Sequence, residues 1–419
     1  MKIIREAHIK SGEKITLPVA MRRRWGLDAG KKLLVSETAE GILLRPADPP
    51  LRKVYVEPTT RCNLTCRACM RHSWTEETGD MPMATYQRLI DDLADFSTLE
   101  TIALWGFGEP LLHPEIVDMV RLAHRRGIKT EIVTNGLLLT RELSEELVAA
   151  GLCTLVVSVD GTSPDSFADA RSGADFRKLL ENMSELRNAK YRHRRHPATP
   201  EIGIEFVVMR RNVSELPELQ RLADMLGASF VIVTNVLPYD KALSDEILYR
   251  VSAGEPFTTH RSLIMPETTL PQIDLYGENL NFVLSLVRNG NITNTPMRLS
   301  SLPWADYCPF INKGALAVCR DGSVSPCIAL MHSHTCYVMG REKSMRRYVV
   351  GDLAHESLSA IWNKSEYTYF RERVVIFDFP PCIHCGGCDD SDANERDCFD
   401  NPFPVCGDCL WARNVILCP

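Results

Sequence analysis

The chain has 419 residues, too many for one compact core, so two or three domains are expected. Hydrophobic residues make up 45% and charged residues 24%, as in ordinary globular proteins, and no stretch is long and apolar enough to span a bilayer. The net charge of −6 argues against a protein that binds nucleic acid over its whole surface.

The 15 cysteines are unevenly distributed, and 11 of them lie between Cys308 and Cys418. Such clustering argues against a secreted disulfide framework, and residues 1–6 contain no apolar core of a signal peptide. We therefore expect a cytoplasmic protein, without a membrane partner, whose thiols bind metal rather than cross-link the chain.

Residues 1–48 predict a small β-rich unit with a strand, a short basic helix and a β-hairpin. This order resembles the AbrB-like swapped-hairpin domains of bacterial regulators and antitoxins, and the resemblance implies an intertwined dimer that binds DNA. Ten Lys and Arg against six Asp and Glu give the segment a local charge of +4. We favour dimerisation or substrate docking over DNA binding, because function belongs to the site and not to the fold. Residues 48–50, Asp-Pro-Pro, predict a linker.

Residues 51–240 alternate strand-like and amphipathic helical runs, which predicts an α/β fold with a parallel sheet and ligands at the carboxyl ends of its strands. The predicted strands are 53–57, 101–106, 129–134, 154–159, 203–209 and 230–235. The predicted helices are 85–96, 114–126, 141–150, 176–189 and 213–226.

Cys62, Cys66 and Cys69 form a C-x3-C-x2-C triplet just after the first predicted strand. Three thiolates can hold three irons of a [4Fe–4S] cluster, and the fourth iron is then left open for another molecule. The alternatives are three structural cysteines, or a zinc site completed by His72. The triplet and its position resemble the radical S-adenosylmethionine (SAM) enzymes, and this resemblance implies a partial (β/α)6 barrel that binds the cluster and SAM.

The second predicted strand is followed by Gly106-Phe107-Gly108-Glu109-Pro110, which resembles the GGEP motif of radical SAM enzymes. In that family the backbone and the acid of the motif hold the ammonium group of SAM. Bare backbone at Gly106 and Gly108 would allow a ligand to approach closely. Phe107 departs from the motif, because it stands where the family has its first glycine.

The resemblance also implies SAM contacts from residues at the ends of the third and fourth strands. Asn135 would line the site, and Ser158 and Asp160 would lie near the ribose or the methionine end. Arg171 stands where related enzymes use an arginine on the SAM carboxylate, for which a forked guanidinium is suited. The alternative is that Arg171 is a solvated helix charge.

The implied chemistry begins with SAM bound through its amine and carboxylate to the open iron. One electron passes from the cluster to the sulfonium, the S–C5′ bond breaks, and the resulting 5′-deoxyadenosyl radical removes a hydrogen atom from a substrate. The cofactor supplies this chemistry, and the protein positions the reactants and excludes water.

Residues 241–303 predict a bridging segment with one helix at 280–287, and residues 304–419 form a cysteine-rich end. The spacing around Cys308, Gly322 and Cys327 resembles the SPASM extension of radical SAM enzymes, which implies two auxiliary [4Fe–4S] clusters. The cysteine spacing in the middle of the SPASM pattern is not met here, so the assignment of cysteines to the two clusters is left open. A zinc ribbon is the alternative. The candidate ligands are Cys308, Cys327, Cys382, Cys385, Cys388, Cys398, Cys406, Cys409 and Cys418; Cys153, Cys319 and Cys336 are predicted to be structural thiols.

Stretches 350–353, 361–363 and 406–412 resemble the radical SAM maturases that accompany tungsten-containing aldehyde oxidoreductases. The resemblance implies maturation of a tungsten–pterin oxidoreductase or its cofactor, with a protein or peptide substrate and a ferredoxin or flavodoxin as electron donor. The alternatives are a peptide-modifying radical SAM/SPASM maturase and an iron–sulfur-sensing DNA-binding regulator.

His332 and His334 lie near Arg341, Arg346 and Arg347, and together they form a cationic stretch of sequence. This stretch could meet a phosphate-bearing cofactor, although a solvated basic face is the interpretation that we favour.

Overall fold

The computed structural model describes residues 8–10, 14–25, 27, 31–38, 41–74, 76–193, 200–250, 267–271, 273–274, 278–289, 307–384 and 388–418. Cys385 and most of the predicted bridging segment lie outside these residues. Among the helices described, none is both long enough and apolar enough to cross a bilayer.

Six consecutive parallel strands form the centre of the molecule, and this confirms the predicted α/β class and partial barrel. They are β1 (Lys53–Val56), β2 (Thr101–Leu104), β3 (Lys129–Thr134), β4 (Thr154–Ser158), β5 (Glu201–Val208) and β6 (Phe230–Asn235). Neighbours in sequence are neighbours in the sheet. Because helices cover a parallel sheet, its strands are apolar and buried, as Val54, Ile102 and Leu155 illustrate.

The helices between the strands bury one apolar face each against the sheet. They are Met83–Asp92, Ile116–Arg125, Arg141–Ala150, Pro164–Ala170, Phe176–Arg192 and Leu219–Leu226. Thr140 accepts from the Leu143 N–H at the start of one helix and Gly151 ends it in the left-handed conformation, which explains why its predicted limits are correct.

The sheet extends beyond the six predicted strands at both edges, to ten strands among the described residues. β7 (Glu267–Thr269) pairs with β6. From the cysteine-rich part, β8 (Ala315–Val318) pairs in parallel with β1, and β9 (Ser323–Ser325) and β10 (Gly351–Asp352) follow in antiparallel order. The cysteine-rich part is therefore built directly onto the first strand of the barrel.

The remaining helices and strands lie outside the central sheet. The amino-terminal segment has strands His8–Lys10 and Lys14–Thr16, helix Val19–Arg24, and a hairpin of Leu33–Thr38 with Gly41–Pro46. The later chain adds helices Glu278–Asn289, Pro309–Asn312, Leu358–Trp362 and Ser365–Ile376, and a hairpin of His334–Val338 with Arg341–Met345.

The predicted linker at residues 48–50 is packed against the carboxyl-terminal part. Asp48 accepts a hydrogen bond of 2.7 Å from the Arg371 guanidinium, which is almost completely buried. Arg371 also donates to the Trp362 carbonyl and stacks on the Trp362 ring. The Asp-Pro-Pro sequence indicated a break between elements, but it could not show that Asp48 neutralises a buried cation.

The predicted solvated basic face is wrong for His332 and His334, because both side chains are buried. The two ring nitrogens of His332 lie 3.0 Å from a carboxylate oxygen of Glu57 and 2.7 Å from one of Glu76. Burial alone would lower the pKa of His332, but the two carboxylates raise it above its usual value. Burial lowers the pKa of His334 to about 4. His332 thus ties the cysteine-rich part to the end of β1, where Glu57 lies.

Replacing His332 with alanine should destabilise the protein by about 3 kcal/mol, because Glu57 is fully buried and would lose its cationic partner. Urea unfolding of His332→Ala, compared with the exposed control His355→Ala, measures this difference. Equal stabilities of the two variants would contradict the assigned role of His332.

Candidate active site

The loop that carries the cysteine triplet is anchored by hydrogen bonds on its amino-terminal side. Arg61 donates to both carboxylate oxygens of Asp80, at 2.9 and 2.6 Å, and to the Leu112 carbonyl at 3.1 Å. Thr59 donates to the same Asp80 carboxylate at 2.6 Å. These bonds hold the backbone that precedes Cys62 in one conformation.

Cys62, Cys66 and Cys69 line one cavity of about 240 Å³ at the carboxyl ends of the strands. Burial raises the pKa of Cys62, and that of Cys66 to about 11, so both favour the protonated thiol until a metal displaces the proton. The Nε2 atom of His72 lies 3.0 Å from the Cys66 carbonyl oxygen. His72 uses this nitrogen for backbone and does not line the cavity of the three cysteines, which disfavours a zinc site completed by its ring.

Gly106 and Gly108 line the same cavity, and neither position has room for a side chain. A Cβ atom on Gly108 would lie 2.2 Å from the Thr59 carbonyl oxygen, and one on Gly106 would lie 2.6 Å from the Glu57 side chain. The Glu109 N–H donates to the Arg61 carbonyl at 2.8 Å. The motif after β2 therefore packs bare backbone against the cysteine loop, as close approach to a ligand requires.

Glu109 is buried and joins the ends of β2 and β3. Its carboxylate accepts from the Thr134 hydroxyl at 2.6 Å, from the Asn135 N–H at 2.8 Å and from the Leu111 N–H at 3.1 Å. Burial raises the pKa of Glu109, although these three donors oppose that effect. The Asn135 amide in turn donates to the Asn63 side chain at 2.9 Å, beside Cys62.

Arg171 is fixed beside Cys66 by backbone pairing. Strand Arg171–Ser172 pairs with Thr65–Cys66, so Arg171 stands opposite Cys66. Its guanidinium lies 2.9 Å from Asp160 and 3.8 Å from the Cys66 sulfur. Burial works to lower the pKa of Arg171, but Asp160 and Cys66 raise it, so the group stays charged. The alternative of a solvated helix charge is therefore wrong.

Ser158 and Asp160 lie on the cavity wall together with Glu205, which the sequence analysis did not identify. Ser158 donates to the Glu205 carboxylate at 3.0 Å, and Asp160 accepts from the Val207 N–H at 2.9 Å. Burial, reinforced by the charge of Asp160, raises the pKa of Glu205 to about 7. The missed signal was the carboxylate of Glu205 within the otherwise apolar run 202–208 of β5.

The end of the chain forms the opposite wall of the cavity, with Trp411, Ile416, Leu417 and Cys418. The Leu417 N–H donates to the Thr234 hydroxyl at 2.8 Å. Cys418 therefore lies beside the barrel strands, and the structure does not bring it together with the other carboxyl-terminal candidate ligands.

The other candidate ligands fall into two groups. Cys308, Cys327, Cys406 and Cys409, which we call the inner group, lie close enough for their charges to interact. Cys308 is buried and the other three are partly buried. Cys382, Cys388 and Cys398 line a separate cavity, and we call them the outer group. In the described part of the chain, no three His, Cys, Asp or Glu side chains are arranged to hold one metal ion.

The raised pKa of Glu205 should make the SAM-free protein less stable as the pH increases. Stability from the protonated carboxyl is fully present below its usual pKa of 4.5 and is lost as the pH rises through about 7. The Glu205→Gln side chain never ionises, so between pH 5 and 8 the free energy of unfolding of this variant should rise relative to that of the wild type by up to about 3 kcal/mol. Unfolding from pH 5 to 8, with the exposed Glu181→Gln as control, measures this effect. Parallel profiles for wild type and Glu205→Gln would contradict it.

Comparison with known proteins agrees with this geometry. A model of the Radical SAM superfamily matches residues 56–223, and a model of SPASM, described as an iron–sulfur cluster-binding domain, matches residues 308–389. The tungsten-containing aldehyde ferredoxin oxidoreductase cofactor-modifying protein of Pyrococcus furiosus is 31% identical, over 88% of this chain and 97% of its own length.

Two further relatives share less of the sequence. PqqA peptide cyclase of Bradyrhizobium diazoefficiens is 29% identical over 46% of this chain and 48% of its own length. Streptococcus suis SuiB bound to S-adenosylmethionine has the same fold, with a TM-score of 0.55 at 16% identity over 82% of this chain and 72% of that chain. The chain belongs to the Radical SAM superfamily and is an enzyme with a carboxyl-terminal SPASM domain.

Proposed function

We propose that this enzyme cleaves SAM reductively and acts in the maturation of a tungsten–pterin oxidoreductase or of its cofactor. The observation that carries the proposal is the similarity to the Pyrococcus furiosus cofactor-modifying protein, because it covers 88% of this chain and 97% of that relative. A ferredoxin or a flavodoxin would supply the electrons.

The cavity residues suit this chemistry. Cys62, Cys66 and Cys69 would hold the [4Fe–4S] cluster, which when bound supplies the electron that cleaves SAM. Gly106 and Gly108 offer bare backbone to the ligand, and Glu109 holds the strand ends in place beneath it.

Charged groups around the cavity would orient SAM. Asp160 takes up one arm of the Arg171 guanidinium, and the other arm is directed at the cysteine loop, where a carboxylate of SAM would lie. Ser158 and Glu205 present oxygen atoms that would accept from the ribose hydroxyls, and Asn135 completes this wall.

The two cysteine groups would hold the auxiliary clusters. The inner group supplies four thiols, and the outer group supplies three, with Cys385 as the fourth candidate. A zinc ion needs its sulfur atoms around one point, whereas a [4Fe–4S] cluster binds each thiolate at a different iron. The absence of a convergent set among the described residues favours clusters for the inner group.

Cys62→Ser should abolish formation of 5′-deoxyadenosine from SAM and reduce the iron content by about four atoms per chain. The reason is that Cys62 lines the cavity with the other two cysteines of the triplet. Cys153→Ser is the matched control, because Cys153 follows the Arg141–Ala150 helix and its thiol contacts the Gly151 carbonyl. Iron quantitation and product assay on dithionite-reduced protein measure both effects, and product from Cys62→Ser would sink the assignment.

Cys406→Ser should also lose about four irons, but should retain substantial SAM cleavage. Cys406 lies in the inner group and not in the cavity of the triplet, so it should affect turnover of the true substrate more than cleavage. The same two assays separate these effects. Complete loss of cleavage with the triplet cluster intact would contradict the separation.

The substrate is tested by co-expression of the chain with a tungsten-containing aldehyde oxidoreductase from its source organism. We expect an active oxidoreductase with the wild-type enzyme, and an inactive one with an altered cofactor mass when Cys62→Ser replaces it. Full activity and an unchanged cofactor mass with Cys62→Ser would overturn the proposed substrate, while leaving SAM cleavage in place.

A peptide-modifying maturase is the second candidate, and the similarity to PqqA peptide cyclase favours it. That similarity covers 48% of the relative, so it concerns the barrel more than the whole enzyme. An iron–sulfur-sensing regulator is not favoured, because the chain belongs to an enzyme superfamily.

A further inference from the structure

Cys418 is left over when the cysteines are grouped, and it faces the SAM cavity. The inner and outer groups, with Cys385, provide the eight thiolates that two [4Fe–4S] clusters need. Cys418 instead lines the cavity that also contains Cys62, Cys66 and Cys69. A ninth thiol in this cavity is therefore available to react with a carbon radical that forms after the cleavage of SAM.

The position of Cys418 is fixed by the residues around it. The Trp411 indole N–H donates to the Cys418 sulfur at 3.0 Å, and the Asn235 amide donates to the Val415 carbonyl at 2.9 Å. The phenol of Tyr239 lies close enough to interact with both Cys69 and Cys418. The sulfur of Cys418 and the cysteine loop therefore border the same part of the cavity.

The surroundings of Cys418 keep it as a thiol. Burial, reinforced by Glu205, raises its pKa, and this outweighs the lowering effects of the Trp411 hydrogen bond and of Lys53 and Lys313. A neutral thiol has an S–H bond that is weaker than the C–H bond of a methyl group. It can therefore give a hydrogen atom to a primary carbon radical, which a thiolate cannot do.

Trp411 connects this thiol to the inner group. Its side chain borders the SAM cavity and also the smaller cavity lined by Cys327, Cys406 and Cys409. One aromatic side chain thus lies between the inner group and the sulfur of Cys418, which is a short route for an electron.

We propose that Cys418 is a catalytic hydrogen-atom donor in the SAM cavity, and that the auxiliary cluster of the inner group restores it through Trp411. The S–H bond breaks homolytically as a C–H bond forms on the carbon radical, which leaves a thiyl radical on Cys418. One electron from the reduced auxiliary cluster and one proton from solvent then regenerate the thiol. The inference rests on the proposed cleavage of SAM.

The test uses SAM alone as the probe. Full-length protein with its clusters is reduced with dithionite in D2O, without added thiol, so that Cys418 carries S–D. In the absence of substrate, the 5′-deoxyadenosyl radical should take this atom. Mass spectrometry of 5′-deoxyadenosine should therefore show one added deuterium for the wild type and for the control Cys153→Ser. The label should be lost in Cys418→Ser, because the O–H bond of serine is too strong to donate.

Iron content and the EPR spectrum of Cys418→Ser should equal those of the wild type. Loss of iron in this variant would make Cys418 a cluster ligand and overturn the proposal. Unlabelled product from the wild type, or equal labelling of wild type and Cys418→Ser, would overturn it as well. No 5′-deoxyadenosine from the wild type would instead contradict the cleavage of SAM on which the inference rests.

Discussion

Backbone pairing of β8 with β1 is the interaction on which the rest of the site depends. β1 ends at the loop of the cysteine triplet, and β8 belongs to the cysteine-rich part, so this one ladder joins the two regions. The buried His332 reinforces the joint, because it lies between the carboxylates of Glu57 and Glu76. With the joint in place, the end of the chain reaches the strand ends and closes the cavity with Trp411 and Cys418.

The buried charged groups around the cavity form hydrogen bonds or ion pairs, and these contacts also hold the neighbouring backbone in place. Glu109 accepts hydrogen bonds from the ends of β3, and Asp160 holds both Arg171 and the Val207 N–H. Removing one partner from such a pair leaves an uncompensated charge in a region of low dielectric constant, which is costly. The pairs therefore stabilise one geometry of the strand ends.

Local sequence predicted the barrel well, because the apolar runs of its strands and the caps of its helices are short-range signals. The triplet, Gly106, Gly108 and Asn135 were also predicted to lie together, since motifs at strand ends converge on one edge of a parallel sheet, and they line one cavity. The pairing of β8 with β1 was not predicted, because more than two hundred residues separate the two strands. Glu205 was missed because period and hydrophobicity describe β5 without distinguishing the carboxylate in its interior. The burial of His332 depends on two partners that are distant in sequence.

The partition of the later cysteines could not come from spacing, since the inner group combines Cys308 and Cys327 with Cys406 and Cys409 from the far end of the chain. Spacing likewise assigned Cys418 to the clusters, whereas tertiary contacts place it in the SAM cavity.

The most direct test of the account is whether SAM binds the cluster of the triplet. EPR spectra of the dithionite-reduced enzyme should be recorded with and without SAM, using Cys406→Ser to reduce overlap from the inner cluster. SAM should change the g values of the cluster signal, because the open iron gains two ligands. An identical spectrum at saturating SAM would contradict the account.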